Sequence, residues 1–228
     1  MLKYPCLVLD HDDTAVKSEL TVNYPCFLDS LRKFRPGETM DYAEFVDWCF
    51  RYEFTDFLRV KYRFTEEELL EEYHMWQDYS KTRIPPAYEG IRELILEQKK
   101  RGGLLCVVSL SSRENILRDY RTHFGMEPDL IFSCDDPRDQ RKPNTYPLEQ
   151  IMKHYHLFPE QLLMVDDLQT GYQMASKAGV PAAFAAWSRQ ESPTLLDAMT
   201  KLCDFTSTTI PTWSGAPLSS PLPISCQS

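Results

Sequence analysis

The sequence predicts an α/β fold, in which a mostly parallel sheet is covered by helices on both faces and a helical lobe is inserted after the first strand. Short apolar runs typical of buried strands alternate with helical stretches along most of the chain. More than ninety residues separate the first run from the second, far more than one crossover helix needs. The 228 residues, 43% of them hydrophobic, suffice for one substantial core with a smaller lobe.

Five apolar runs are the candidate strands of this sheet, at residues 7–10, 104–109, 130–133, 162–166 and 182–186. The first, second and fourth runs end in polar side chains that can do chemistry. Because the carboxyl ends of parallel strands meet at one edge of a sheet, we expect these side chains to form a common site.

The insertion, residues 18–84, has a helical pattern throughout, which predicts about four helices packed as a small bundle. Asp41 with Glu44, and Thr65 with Glu68, have the spacing of helix N-terminal caps. The sequence therefore predicts that helices begin after Asp41 and after Thr65.

Aromatic residues are concentrated in and next to the insertion, since 16 of the 28 lie within residues 24–88. We expect them to fill the core of a small lobe rather than to contact a substrate. Residues 15–18 lead into the insertion, and Pro85-Pro86 stiffens the return. Two connections side by side predict a hinge.

Charge and cysteine usage exclude several classes of protein. A net charge of −9 opposes binding to nucleic acid or to an anionic membrane, and no stretch is long enough to span a bilayer. The seven cysteines are an odd number without a C-x-x-C pair, which argues against a disulfide framework or a zinc site. We expect a globular protein of the reducing cytoplasm without an export signal. The sequence leaves its oligomeric state open.

These patterns predict a core domain of residues 1–17 and 85–208 around the inserted helical domain of residues 18–84. Beyond Asp204 the chain becomes rich in Ser and Thr, and then in Pro. We therefore predict that residues 209–228 form a disordered tail without chemistry.

Two carboxylates leave the end of the first strand together in the segment Asp10-His11-Asp12-Asp13-Thr14. Such a pair is unfavourable unless it binds a cation or one member holds a proton, and metal-assisted phosphoryl chemistry requires both. For this segment alone, a solvated acidic turn is the alternative.

The fourth run also ends in acids, Asp166 and Asp167, so two strand ends together offer four carboxylates. These are hard oxygen ligands, and no ligand-spaced His or Cys lies beside them. This donor set favours Mg²⁺ over Zn²⁺.

Ser109 ends the second run, just before a helix whose first N–H groups could join its hydroxyl in binding a phosphate oxygen. The capping-box spacing of Ser111 and Glu114 predicts Ser111 as the N-cap of that helix. A serine at a strand end is common, and a structural role is the alternative for Ser109.

Lys142 follows a charged loop and precedes Pro143. If its side chain points inward, the ammonium group can neutralise both a phosphate and Asp10. Arg138 and Arg141 are alternative cations for the same task.

Four motifs follow one another along the chain, each at a strand end or a helix entry: Asp10-x-Asp12-x-Thr14, Ser109, Lys142-Pro143 and Asp166-Asp167. This ordered set resembles the haloacid dehalogenase-like hydrolase superfamily over about the first 200 residues. The resemblance implies a Rossmann-like core. Because the insertion lies between the first and second motifs, it also implies a helical cap, as in the phosphoglycolate phosphatase and β-phosphoglucomutase branch.

The resemblance also implies a role for each matched residue. Asp10 would be the nucleophile that attacks phosphorus, and Asp12 would protonate the leaving oxygen and then activate water. Ser109 and Lys142 would bind the transferring phosphoryl group, with Thr14 steadying the loop beside it. Asp10 would also join the ligands of the metal.

The implied Mg²⁺ site has four members. Asp10, the backbone carbonyl of Asp12 and Asp166 would hold the ion, and Asp167 would be an outer or additional ligand. The acid at Asp12 disfavours halide displacement and phosphonate cleavage, because the relatives that perform those reactions lack an acid there. The leading hypothesis is a Mg²⁺-dependent phosphatase that acts on a small phosphorylated metabolite through an aspartyl phosphate.

Three alternatives stay open. A phosphomutase shares every core residue with the phosphatase. A phosphoacceptor switch fits poorly, because no acid ends the third run unless Asp135 is recruited. A catalytically silent phospho-ligand-binding protein is favoured only by departures from the usual pattern: His11 stands where an apolar residue is usual, and Val165 where glycine is common. An acid frequent a few residues after Asp166 is also missing, since Thr170 and Gly171 stand there.

Overall fold

Six parallel strands form the sheet of this protein, in the order β3-β2-β1-β4-β5-β6. The structure is a computed structural model that describes residues 2–189 and 192–207. The strands are β1 (Cys6–Leu9), β2 (Leu104–Val108), β3 (Leu130–Phe132), β4 (Leu162–Asp166), β5 (Ala182–Ala185) and β6 (Phe205–Ser207). With helices between the strands, this arrangement confirms the predicted α/β fold.

All five predicted strands are present, and β6 is the one that the sequence pattern missed. It has three half-buried residues at the edge of the sheet, and two of them are Thr and Ser. Such a short polar strand carries no alternation that separates it from a loop. Its backbone pairs with β5, where Phe184 lies opposite Thr206.

Nine α-helices lie within the described ranges, together with a π-helical turn, Glu19–Asn23. The helices are α1 (Tyr24–Phe34), α2 (Tyr42–Arg51), α3 (Phe54–Tyr62), α4 (Glu66–Thr82), α5 (Ile91–Lys100), α6 (Arg113–Phe124), α7 (Tyr146–Tyr155), α8 (Gln169–Ala178) and α9 (Pro193–Leu202). The turn and α1 to α4 lie between β1 and β2, and we call this segment, residues 18–84, the helical insertion. Its assignment as a separate domain stays a prediction.

The capping predictions are confirmed in the insertion and wrong in the core. Asp41 caps α2, and Thr65 with Glu68 forms a full capping box on α4. In α6, however, the N-cap is Ser112, whose hydroxyl accepts from the Asn115 N–H, instead of the predicted Ser111. The strand end and the helix entry are one residue further apart than the capping-box pattern indicated.

The two connections to the helical insertion are hydrogen-bonded to each other. The Lys17 N–H donates to the Pro86 carbonyl at 2.9 Å, and the Tyr88 N–H donates to the Ala15 carbonyl at 3.1 Å. The hinge stays a prediction, and the two connections that would form it are joined by these backbone hydrogen bonds.

Alternation along the central strands separates the core into two faces. Leu7 and Leu9 belong to a cluster with Ile91 and Ile116, while Cys6 and Val8 face a cluster formed with α7 and α8. All four strand side chains are buried, so β1 is covered on both sides.

A third apolar cluster joins the helical insertion to the core. Phe27 and Phe45 of the insertion belong to the same cluster as Phe184 of β5 and Leu195 of α9. Most aromatic residues of the insertion therefore fill a core, as expected, and that core extends to β5 and α9. Tyr52 and Tyr73 are exposed instead, and Trp76 lines a cleft.

Two expectations concern the remaining chain. The predicted disordered tail, residues 209–228, lies outside the described residues. Over the ranges that are described, no helix has both the length and the apolar character needed to cross a membrane.

Candidate active site

Lys142 lies between the carboxylates that end the two central strands. Its Nζ donates to Oδ1 of Asp10 at 2.7 Å and to Oδ2 of Asp166 at 2.8 Å. The register explains this meeting, because Leu9 of β1 pairs with Val165 of β4, so the next residue of each strand stands at the same level. All three side chains are buried. Lys142 therefore points inward, as it must if it is to neutralise Asp10 and a phosphate.

Asp167 is held by two other groups. Thr14 donates from its hydroxyl to Oδ1 of Asp167 at 3.3 Å, and Arg189 donates from Nε to Oδ2 at 2.6 Å. The Thr14 carbonyl accepts from the indole N–H of Trp187 at 3.2 Å. Thr14 thus joins three loops, an arrangement suited to steadying the site.

Arg189 also reaches Asp13, whose Oδ2 lies 3.0 Å from Nη1. Asp13 has a left-handed backbone with φ of 52°, a conformation that Asp tolerates better than most residues. Its other carboxylate oxygen accepts from the Glu19 N–H at 3.2 Å. Arg189 therefore ties the loop after β1 to the loop after β4.

The buried site holds more carboxylates than cations. Asp10, Asp13, Asp166 and Asp167 face two cations, Lys142 and Arg189. Burial raises the pKa of Asp10 and of Asp166, and neighbouring carboxylates raise both further while Lys142 opposes the shift. The excess negative charge favours binding of a further proton or cation.

The donor set fits Mg²⁺. Carboxylate oxygens of Asp10, Asp166 and Asp167 lie within 4.8 Å of one another, and all three residues are buried. Oxygen ligands with excess negative charge are what a small hard cation requires. The Asp12 side chain is not part of this group, and the contact of its backbone carbonyl with the metal stays a prediction.

Gly171, at the start of α8, gives Asp166 the room that it needs. A Cβ built on Gly171 would lie 2.0 Å from Oδ2 of Asp166. The carboxylate cannot easily withdraw, because Lys142 binds the same oxygen and the Leu168 N–H donates to Oδ1 at 2.8 Å. Gly171 stands near where relatives frequently have an acid. It has no side chain and lies against the carboxylate of Asp166.

Ser109 lies at the end of β2, beside the loop after β1. Its hydroxyl accepts from the Ser111 N–H at 3.2 Å, and its side chain is buried. Because β2 and β4 both pair with β1, Ser109 stands on the opposite side of Asp10 from Asp166. Its contact with a phosphoryl group stays a prediction.

A narrow cleft lies between the helical insertion and the core. Asp12, half-buried, lines it together with His11, Ser18, Trp76, Arg83 and Arg118. The cleft has room for about one water molecule as it stands. The predicted acid thus faces a narrow space that both parts of the chain enclose.

His11 is fixed from the core side of this cleft. Its Nε2 lies 3.1 Å from Oδ2 of Asp119, and each residue is 1% exposed. Burial alone would raise the pKa of Asp119, but the contacts with His11 and Arg118 outweigh burial and lower it. Asp119 is therefore a carboxylate that holds the imidazole in place.

Arg118 connects the same carboxylate to the helical insertion. Its Nε donates to Oδ1 of Asp119 at 2.7 Å, and its Nη1 donates to Asn115 at 3.2 Å and to the backbone carbonyl of Ser80 in α4. That carbonyl lies in the last turn of α4, where intrahelical donors are lacking.

The structure brings the predicted residues Asp10, Lys142 and Asp166 together, and it places Thr14 against Asp167. Arg189 and Asp119 were not predicted from the sequence, and Gly171 was noted only as the place of a missing acid. Arg189 follows β5 without any motif, and Asp119 lies 108 positions after its partner. Only Gly171 carried a signal, as a glycine inside a helical pattern.

The chain has recognisable relatives. A family model described as haloacid dehalogenase-like hydrolase matches residues 7–185. Pyrophosphatase PpaX from Bacillus thuringiensis is 23% identical over 191 residues, which cover 82% of this chain and 85% of that protein. Pyrophosphatase PpaX from Halalkalibacterium halodurans is 27% identical over 124 residues, 54% of this chain and only 57% of that relative's length.

The fold has relatives among solved structures. That of a predicted phosphoglycolate phosphatase from Haemophilus somnus superimposes with a TM-score of 0.69 at 16% identity. The superposition covers 88% of this chain and 99% of that one. At this level of identity the likeness concerns the fold.

Proposed function

This chain belongs to the haloacid dehalogenase-like hydrolases, and we propose that it is a Mg²⁺-dependent phosphatase that hydrolyses a small phosphomonoester through an aspartyl phosphate. The prediction of a hydrolase of this family is confirmed. The observation that carries the proposal is the contact of Lys142 with both Asp10 and Asp166 at the ends of the central strands.

In the first proposed step, a carboxylate oxygen of Asp10 attacks phosphorus and the bond from phosphorus to the ester oxygen breaks. The Asp12 carboxyl group, which faces the cleft, gives its proton to the leaving oxygen. Lys142 and Ser109, on the two sides of Asp10, hold the transferring group. The products are an alcohol and a phosphoryl group on Asp10.

In the second step, Asp12 takes a proton from water, and the water oxygen attacks the same phosphorus. The bond to Asp10 breaks, inorganic phosphate leaves, and both carboxyl groups return to their first state. Asp10, Asp166 and Asp167 would hold Mg²⁺, which when bound neutralises charge on the phosphoryl oxygens. The cleft that Asp12 lines has room for about one water molecule, so little water surrounds that carboxyl group.

A small substrate is supported by the narrowness of the cleft and by the phosphatase names of the relatives. The net charge of −9 favours a partner bound by local cations over nucleic acid. We also propose the cytoplasm as its compartment, on the scattered cysteines of the sequence.

Pyrophosphate is a second candidate substrate, because a cation lines the cleft. The Arg83 guanidinium lies 3.9 Å from the centre of the Tyr79 ring and is exposed on the cleft. A guanidinium group in this position is suited to a second phosphate. The names of the two sequence relatives favour the same substrate.

The test is phosphate release from p-nitrophenyl phosphate, pyrophosphate and a panel of small phosphomonoesters, with Mg²⁺ and with EDTA. We expect release that needs the metal, disappears in Asp10→Asn and falls at least a hundredfold in Asp12→Asn. The matched control is Asp197→Asn, since Asp197 is exposed on α9 and pairs only with Lys201 among the described residues. This control should keep full activity.

Two other outcomes correspond to the alternatives. Isomerisation of a sugar phosphate without net phosphate release would replace the phosphatase with a mutase. Release that does not change in Asp10→Asn would come from a contaminant, and together with tight phosphate binding would favour a silent binding protein.

A further inference from the structure

The cleft contains two buried polar atoms without a partner among the described residues. They are Nδ1 of His11 and the hydroxyl oxygen of Ser18. Both residues line the cleft, and each is at least 97% buried. Buried polar atoms are nearly always hydrogen-bonded, so these two indicate a group the size of a water molecule or a hydroxyl that completes them in the cleft.

The orientation of His11 follows from its neighbours. Asp119 is a carboxylate and accepts only, so the His11 nitrogen facing it, Nε2, carries the hydrogen. The unpartnered Nδ1 is left for the cleft, and a hydroxyl group, which both donates and accepts, can pair with it.

The position of His11 says which part of a ligand it meets. It stands between Asp10, the proposed nucleophile, and Asp12, the proposed proton donor to the leaving oxygen. Asp12 lines the same cleft. Because Asp12 is the proposed donor to the leaving oxygen, a group held in this cleft belongs, in the proposed reaction, to the leaving alcohol.

Arg118, one of the two arginines that line the cleft in the described part of the chain, is engaged elsewhere. Arg118 donates to Asp119, to Asn115 and to the Ser80 carbonyl, so it serves to hold His11 and the end of α4. Beside His11 the contacts therefore favour a neutral polar group, while Arg83 at the exposed side of the cleft is a cation left to an anion.

We propose that His11 is a specificity-determining residue: fixed by Asp119 and Arg118, it forms through Nδ1 a hydrogen bond with a hydroxyl group of the leaving alcohol, which the Ser18 hydroxyl also contacts. The inference rests on the proposed phosphatase and names the chemistry of its substrate, a small phosphomonoester with a hydroxyl near the ester. Pyrophosphate hydrolysis assisted by His11 is the competing outcome.

The test compares 2-hydroxyethyl phosphate with propyl phosphate, which has a methyl group in place of the hydroxyl. For the full-length protein, the ratio of the two kcat/KM values should be about ten in favour of the hydroxylated ester. His11→Gln retains an amide that reaches Asp119 and lacks a group at the Nδ1 position, so the ratio should fall to about one. Ser18→Ala should reduce it by about threefold.

A second measurement does not depend on turnover. In Asp10→Asn, labelled with ¹⁵N-histidine, the His11 Nδ1 resonance should shift on saturation with 2-hydroxyethyl phosphate and not with propyl phosphate. This experiment tests the inference even if His11→Gln fails to fold. It also tests the inference if no ester is hydrolysed, although that result would overturn the proposed function.

Three results would overturn the inference while leaving the phosphatase intact. They are a wild-type ratio near one, a ratio that His11→Gln leaves unchanged, and an Nδ1 resonance that responds equally to both esters. If His11→Gln lowers kcat/KM for pyrophosphate alone, His11 acts on pyrophosphate and the inference is wrong.

Discussion

Arg189 and Asp167 form a buried ion pair in which Nε donates to Oδ2 at 2.6 Å and Nη2 contacts the same oxygen. Both side chains are at most 4% exposed. Neighbouring carboxylates outweigh the effect of burial and hold the pKa of Arg189 above its ordinary value, so the guanidinium stays charged. The pair joins the loop after β5 to the loop after β4, next to the proposed metal ligand Asp166.

Arg189→Met should destabilise the protein by about 3–5 kcal/mol, because it leaves Asp167 and Asp13 buried without their cation. The free energy of unfolding in urea measures this loss. Arg189→Lys keeps the charge but loses the forked geometry of the guanidinium group. Its free energy of unfolding should therefore lie between those of the wild type and Arg189→Met. Combining Arg189→Met with Asp167→Asn should recover part of the loss, and strictly additive effects would contradict the pairing.

Mg²⁺ should raise the melting temperature, because an ion that binds only the native carboxylate cluster stabilises the folded state. Asp166→Asn should abolish the increase, and Asp197→Asn should keep it. The increase should be smaller at pH 5 than at pH 8, since burial raises the pKa of Asp10 and Asp166 and protons then compete with the ion. An equal increase in Asp166→Asn would remove this cluster as the metal site.

Gly171→Ala should impair metal binding, because the new methyl group would lie 2.0 Å from Oδ2 of Asp166. The expected result is at least a tenfold weaker response of the melting temperature to Mg²⁺, with α8 itself still formed. Ser176→Ala, at an exposed position of the same helix, is the matched control. A normal response in Gly171→Ala would show that Asp166 can move without loss.

Glu72 should make the protein less stable as the pH rises. It is 4% exposed on α4, and burial raises its pKa from 4.5 to about 7. Below pH 4.5 the carboxyl group is protonated in both the folded and the unfolded state, so it does not lower the free energy of unfolding. Above pH 7 it is ionised in both states and disfavours the fold by about 3 kcal/mol.

Glu72→Gln should accordingly raise the free energy of unfolding by up to about 3 kcal/mol at pH 8.5 and by little at pH 4.5. Urea unfolding at the two pH values measures the difference. Glu67→Gln, on the exposed side of the same helix, should change neither value by more than about 0.5 kcal/mol. A gain in Glu72→Gln that is equal at both pH values would contradict the role of ionisation.

The sequence predicted the parts of the site that lie at strand ends. Asp10, Ser109 and Asp166 follow apolar runs, and parallel pairing brings the ends of those runs to one edge. Lys142 was predicted from a motif in a loop, and its inward direction could be seen only in the structure. These strand ends could be predicted because apolar runs mark the strands and parallel pairing fixes which ends meet.

The remaining contacts depend on distances that no local pattern encodes. His11 meets Asp119 across the core, and Arg189 meets Asp13 and Asp167 from a loop without a motif. The edge strand β6 and the N-cap at Ser112 were missed for a related reason, since one or two residues of polar sequence fit several backbone paths.

The apolar cluster shared by the helical insertion, β5 and α9 has a calorimetric consequence. Phe27 and Phe45 cannot lose contact with Phe184 and Leu195 unless both parts of the chain expose apolar surface together. We therefore expect a single endotherm on heating, with equal calorimetric and van't Hoff enthalpies. Cutting the chain at the paired connections would yield two fragments with no melting transition of their own.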